Sequence, residues 1–190
     1  PSPLPLSKSQ IDKLGSTLRK IDQITAEHLT ALNQYRGLFQ SGFARIYAQV
    51  TEIATGEGLQ AVDLSQRPEK SNFSIIHKLK RENTSLSSMQ DIAGCRVTVR
   101  DMLQQNLLVA RLAEHFVDAK IDDKRERSRT GYRAVHVIVK DGWLRYEIQV
   151  RTKLQHQWAL LSEALAAKHG IGVKYGEGDV FVLEVLNRMS

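Results

Sequence analysis

Two nearby segments constrain the fold of this chain more than any other feature. Gly131-Tyr132-Arg133-Ala134-Val135-His136 and Glu147-Ile148-Gln149-Val150-Arg151-Thr152 each interleave apolar residues with polar or charged ones. On a strand, successive side chains point to opposite faces, so the alternation yields one aliphatic face and one carrying an acid, an amide, bases and an aromatic. Asp141-Gly142 lies between them and is a strong hairpin signal. The spacing therefore predicts strands over Tyr132–Val139 and Leu144–Val150, with a polar face suited to binding.

Composition narrows what that face meets. Lys+Arg 27 against Asp+Glu 21 gives a formal charge of +6 and a pI near 9.5, which favours polyanions such as nucleotides or RNA over acidic proteins or bare sugars. At 190 residues and 42% hydrophobic content the chain suffices for one well-buried domain. The single cysteine, Cys95, lies in the run Cys95-Arg96-Val97-Thr98-Val99 and reads as a buried thiol rather than a nucleophile. One cysteine excludes an internal disulfide, and neither a signal-peptide pattern nor an apolar stretch of transmembrane length occurs. The expected setting is a reducing cytoplasm, with no membrane partner. A start at Pro1 fits either removal of Met before proline or a domain cut from a longer protein.

Along the chain, apolar spacing predicts a helix from about Lys8 to Asn33 behind a Ser7 cap, and another from about Leu38 to Thr55, ended by Gly56-Glu57-Gly58. Asn72 is a candidate cap for a helix bearing Ile75, Ile76 and Leu79, with Lys70, Ser74 and Lys78 spaced four apart. Cys95–Val99 is the first clear strand. Met102–Phe116 reads as helix, Asp118–Thr130 as a charged loop, and Thr152–His169 as a final helix before a glycine-spaced tail. The fold class is α/β (α+β): a mixed β-sheet flanked by helices.

Asp91, at the mouth of the first strand, and Glu147 are carboxylates in aliphatic surroundings. Brought together by neighbouring strands they repel unless a cation lies between, and two hard oxygen donors suit Mg²⁺ in phosphate chemistry. The plainer alternative is that Asp91 caps a turn and Glu147 faces solvent. Arg67, Lys70, Lys78, Arg96, Arg151 and the Arg125/Arg127/Arg129 loop are available to neutralise a triphosphate, the main demand of phosphoryl transfer; each also has an ordinary surface reading. Tyr132 beside Gly131 offers a ring to a base, and His136 shares its face. A Walker-type loop, Cys/His metal spacing and a Gly-x-Ser-x-Gly elbow are absent from the sequence.

Together, Lys70-x-x-x-Ser74-Ile75-x-x-Lys78-Leu79, Asp91-Ile92-Ala93-Gly94-Cys95-Arg96, Gly131-Tyr132-Arg133-Ala134-Val135-His136 and Glu147-Ile148-Gln149-Val150-Arg151-Thr152 resemble the synthetase domain of the RelA/SpoT homologue family, small alarmone synthetases included. The motifs occur in family order over Arg67–His169. The resemblance implies a nucleotidyltransferase-like fold and transfer of pyrophosphate from ATP to the 3′-hydroxyl of a purine nucleotide, releasing AMP. It implies Mg²⁺ on Asp91 and Glu147, the latter alternatively activating the hydroxyl. Arg67, Lys70, Ser74, Lys78 and Arg96 would grip ATP. On the acceptor side Tyr132 would stack on the base, with His136, Gln149, Arg129 and Arg151 around ribose and phosphates. Residues 1–60 are then a helical packing region and 61–190 the pyrophosphokinase core of one domain.

The departures from the family pattern cluster at the acceptor. Asp122 fits the expected aspartate, but Arg127-Ser128 replaces a Pro-Lys pair and Thr130 an asparagine. The first arginine stands three residues before Lys70 rather than two, and an acidic-His pair after Trp158-Ala159 becomes Ser162-Glu163. The acceptor is therefore open between adenosine and guanosine nucleotides, giving (p)ppApp or (p)ppGpp. A growth-inhibiting toxin, with a neutralising immunity or antitoxin protein and delivery as part of a longer toxin, belongs to this reading. The alternatives are a tRNA 3′-end pyrophosphokinase and a non-catalytic nucleotide- or RNA-binding module.

Overall fold

The computed structural model describes residues 6–67, 69–126, 131–170, 172–173 and 176–189. Three helices open the chain: α1 (Lys8–Lys20), α2 (Ala26–Gly37) and α3 (Gln40–Ala54). They are followed by β1 (Ala61–Gln66), α4 (Asn72–Arg81), a 3₁₀ turn (Leu86–Ser88), β2 (Ala93–Val99), α5 (Met102–His115), β3 (Lys120–Asp123), β4 (Val135–Asp141), β5 (Leu144–Thr152), α6 (Lys153–His169) and α7 (Val180–Arg188). The strands form one mixed sheet in the order β1-β2-β5-β4-β3, in which only the central pair, β2 with β5, is parallel. A mixed sheet flanked by helices is the fold class the sequence predicts.

One face of this sheet is the main core. Cys95, Val97, Val99, Val137, Val139, Tyr146, Ile148 and Val150 all bury on it, against Leu18, Leu32, Val50, Leu79 and Leu108 of the helices and Phe39 between α2 and α3. Burial pushes the Cys95 thiol up to about 12, which keeps it protonated and inert. Asp12 of α1 accepts both the Ser87 N–H (3.0 Å) and the Ser87 hydroxyl (2.9 Å), and the Tyr35 hydroxyl donates to the Leu86 carbonyl (3.0 Å). The helical layer thus pins the segment that leads into Asp91.

Several elements differ from what periodicity predicts. The helix expected over Lys8–Asn33 breaks at Ile21, and α2 restarts behind Thr25, which forms a reciprocal capping box with His28. Ile21 and Ile24 continue the apolar spacing across the break, so periodicity reads straight through it. The cap of α4 is Ser71, not Asn72; its hydroxyl accepts the Ser74 N–H. The charged stretch expected to be loop contains edge strand β3, and β1 forms the opposite edge. The glycine-spaced tail continues into α7, whose cap Asp179 accepts the Phe181 and Val182 N–H groups. At the hairpin Asp141 still pairs with Leu144, so the turn falls on Gly142-Trp143, with Gly142 at φ 60°.

Candidate active site

The opposite sheet face carries the chemistry. Register aligns Ser65, Arg96, Gln149, His136 and Asp122 in one row across all five strands, with Gly94, Glu147 and Ile138 in the adjacent row. A side chain cannot occupy position 94: a Cβ there would meet the Glu147 carbonyl oxygen at 2.0 Å. Gly94 therefore lets β2 run directly beside the strand that bears the acid.

Glu147 is buried, 6% exposed, yet fully partnered. Its Oε1 lies 2.9 Å from His136 Nδ1, while Oε2 accepts from Gln149 Nε2 (2.8 Å) and from the Arg67 guanidinium. Burial opposes the charged form, but the His136 ring, the Arg67 charge and the Gln149 amide outweigh it and hold the carboxyl well below the usual carboxylate range. Asp91 is bracketed by two ammonium groups, Lys70 Nζ at 2.9 Å from Oδ2 and Lys78 Nζ at 3.1 Å from Oδ1. Burial again opposes ionisation, and Lys78 and Lys70 again prevail, lowering the Asp91 pKa.

Tyr132 closes the other end. Its hydroxyl is 2.8 Å from His136 Nε2 and accepts from Arg151 at 2.9 Å, while the Arg151 guanidinium lies over the ring at 5.0 Å from its centroid. Arg151 also donates to Gln149 Oε1 (3.0 Å). Arg67, Lys70, Lys78, Asp91, Tyr132, His136, Glu147, Gln149 and Arg151 all line one polar cleft of about 530 Å³, within the range of small-molecule sites. A second cavity of about 440 Å³, lined by Met102, Leu154, Trp158, Leu161 and Met189 among others, shows no acidic side chain among its described lining residues.

Two residues expected in the ATP set stand apart from the cleft wall. Ser74 receives the Ser71 hydroxyl at 2.9 Å within the α4 cap and is not among the lining residues. Arg96 lies farther along the same face, half-buried; burial, with Arg151 and Arg67 nearby, lowers its pKa. His156 of α6 joins this cluster, its pKa lowered by burial, Arg96 and Arg151. Arg129, with Arg127-Ser128 and Thr130, lies outside the described residues. The cleft also takes in Arg81, Thr84, Ser88, Gln90, Asp122 and Lys124. The density of polar residues just before Asp91 was the one sequence signal for the first four. Lys124 pairs with Asp122 at 2.9 Å.

Among the described residues no group of three or more His, Cys, Asp or Glu forms a ready metal cage. Asp91 and Glu147 nevertheless fit Mg²⁺, which in phosphate sites takes one or two carboxylates and fills its shell with substrate phosphates and water. Both are held ionised at the same cleft.

Comparison with known proteins accords with this architecture. A family model described as "Region found in RelA / SpoT proteins" matches residues 67–171, more than half of the chain. An uncharacterized protein of Mycobacterium tuberculosis is 37% identical over 139 residues, 70% of this chain and 51% of that protein. A probable GTP diphosphokinase of the Oryza sativa chloroplast is 32% identical over 143 residues, 68% of this chain and 18% of that protein. The chain thus spans about half the length of the mycobacterial relatives it matches. Among solved structures, small alarmone synthetase 1 of Bacillus subtilis superposes with a TM-score of 0.67 at 20% identity, covering 83% of this chain and 87% of that one. A GTP pyrophosphokinase family protein of Streptococcus pneumoniae gives 0.63 at 22% identity, with 87% of each chain covered. At such identities the likeness establishes the fold. The chain belongs to the RelA/SpoT family.

Proposed function

We propose that this domain is an ATP-dependent 3′-pyrophosphokinase acting on purine nucleotides in the cytoplasm. The observation that carries the proposal is the pair of ionised carboxylates on one cleft, each held by cations of a length and charge suited to polyphosphate: Lys70 and Lys78 on Asp91, Arg67 on Glu147. The family relationship supports it, as does the solved structure of small alarmone synthetase 1 bound to its product pppGpp, which shares this fold.

In this reading Lys70, Lys78 and Arg67 turn from the carboxylates to the triphosphate and screen its charge. Asp91 and Glu147, so released, would hold Mg²⁺, which when bound supplies charge neutralisation at the transferring phosphoryl group. Glu147 serves as ligand and hydrogen-bond acceptor, orienting the acceptor hydroxyl for in-line attack. Since Arg151 covers one face of Tyr132, an acceptor base stacks on the opposite face or on the guanidinium itself.

That stacking role has a direct kinetic test. Tyr132→Ala is expected to raise the acceptor's KM about tenfold or more while ATP's KM changes little, base–aromatic stacking being worth roughly 1–3 kcal/mol. Equal effects on both substrates would assign the ring to packing against Trp158.

The acceptor is tested by incubating γ-labelled ATP with GDP, ADP, AMP or bulk tRNA separately, then GDP against ADP at equal concentrations. We expect adenosine nucleotides to be converted, because Arg127-Ser128-Arg129-Thr130 retains positive charge but lacks the lysine and the amide of the family pattern. Expression without a neutralising partner is then expected to inhibit growth. Exclusive conversion of GDP with harmless expression would make this an ordinary alarmone synthetase, labelling of tRNA alone would move the acceptor to its 3′ end, and no transfer to any acceptor would overturn the enzymatic reading.

A further inference from the structure

With His136 neutral, the contacts around Tyr132 define one set of proton positions. Arg151 is a guanidinium and only donates, so the Tyr132 oxygen is its acceptor at 2.9 Å. The tyrosine's own proton is then directed to His136 Nε2, 2.8 Å away. Acceptance at Nε2 leaves the imidazole proton on Nδ1, where it faces Glu147 Oε1 at 2.9 Å. The other carboxylate oxygen is fixed by Gln149 and Arg67, and Gln149 is itself held by Arg151. Arg151 therefore reaches both ends of a closed circuit, through Tyr132 and His136 to Oε1 and through Gln149 to Oε2. Each of these side chains except Tyr132 and Arg67 is less than a tenth exposed, so the bonds are shielded from competing water.

From this geometry we infer that the Tyr132 hydroxyl is a positioning group for the reaction, separate from any contact of its ring with substrate: it fixes the His136 ring and, through it, the rotamer of Glu147. The same residue that would stack on the acceptor base thereby reports to the carboxylate that orients the acceptor hydroxyl. The inference rests on the proposed pyrophosphokinase reading for its kinetic test but not for its spectroscopic one.

The test is Tyr132→Phe, which keeps the ring and deletes the hydroxyl. The expected result is an acceptor KM within about twofold of the wild type and a kcat lowered roughly tenfold, whereas Tyr132→Ala, which loses ring and hydroxyl together, raises the acceptor KM as well. Independently of turnover, imidazole nitrogen NMR of the nucleotide-free protein is expected to show His136 as a single Nδ1–H tautomer in the wild type, and as a mixture of tautomers, with faster exchange of that proton, in Tyr132→Phe. Wild-type kcat with an unchanged His136 spectrum in the variant would overturn the inference, as would a pure rise in KM. If the wild type transfers pyrophosphate to no acceptor, the proposed function fails, while the spectra still decide whether the hydroxyl holds His136.

Discussion

Glu147→Gln is expected to fold and to lose turnover by roughly 10³-fold, the scale on which a single charge-stabilising or proton-handling group acts in an enclosed site. The amide matches the carboxylate in shape and can still meet His136, so the loss isolates the charge. Its structural cost is small for a specific reason: Arg67, the partner left behind, has a side chain 27% exposed and can turn to water instead of remaining a buried unpaired cation. Glu147→Ala would also open a hole between Gly94 and Ile138 and is the less clean probe. Thermal melting within a few degrees of wild type, alongside abolished product formation on chromatography, is the predicted outcome. Near wild-type turnover in a folded Glu147→Gln protein would remove the residue from the mechanism.

Asp91→Asn is expected to separate binding from turnover. Lys70 and Lys78 are tied to the Asp91 carboxylate in the nucleotide-free site, and ATP must compete for both. Neutralising the aspartate frees two ammonium groups and removes one negative charge from a cleft meant for a polyanion. In chelator, without divalent cation, ATP should therefore bind the variant several-fold more tightly than wild type by calorimetry, most clearly at low salt. Turnover should fall by about 10² or more and become insensitive to Mg²⁺, because a carboxylate that would hold the ion has gone. A parallel loss of binding and turnover would show instead that Asp91 serves to preorganise the lysines.

How far the sequence discloses this site depends on where each residue gets its position. Glu147, Gln149 and Arg151 are legible as one face because strand alternation is local, and Asp141-Gly142 marks the hairpin that sets His136 opposite Gln149. Asp91 is recognisable by its motif, but its pairing with Lys70 and Lys78 depends on α4 folding back, a long-range packing event with no local signature. β1 and β3 escape detection for a related reason. They are edge strands, largely exposed or half-buried, with mixed residues in β1 and mostly charged ones in β3, and edges are where apolar alternation is weakest. Ser74 shows the converse error: a four-residue spacing aligns it with Lys78, yet Lys70 precedes the helix, so the stripe does not exist as such.

The row from Ser65 to Asp122 has a further consequence for how the domain tolerates change. Side chains alternate with a period of two, so a one-residue slip of β5 would bury Glu147, Gln149 and Arg151 in the helical core and turn Tyr146, Ile148 and Val150 outward. Each of those apolar side chains is worth about 1.5–3 kcal/mol in burial, so the slipped sheet would lose much of a typical domain's margin of stability. Solubility and active geometry are thus checked by the same alignment, and no folded, inactive register is available as a halfway state.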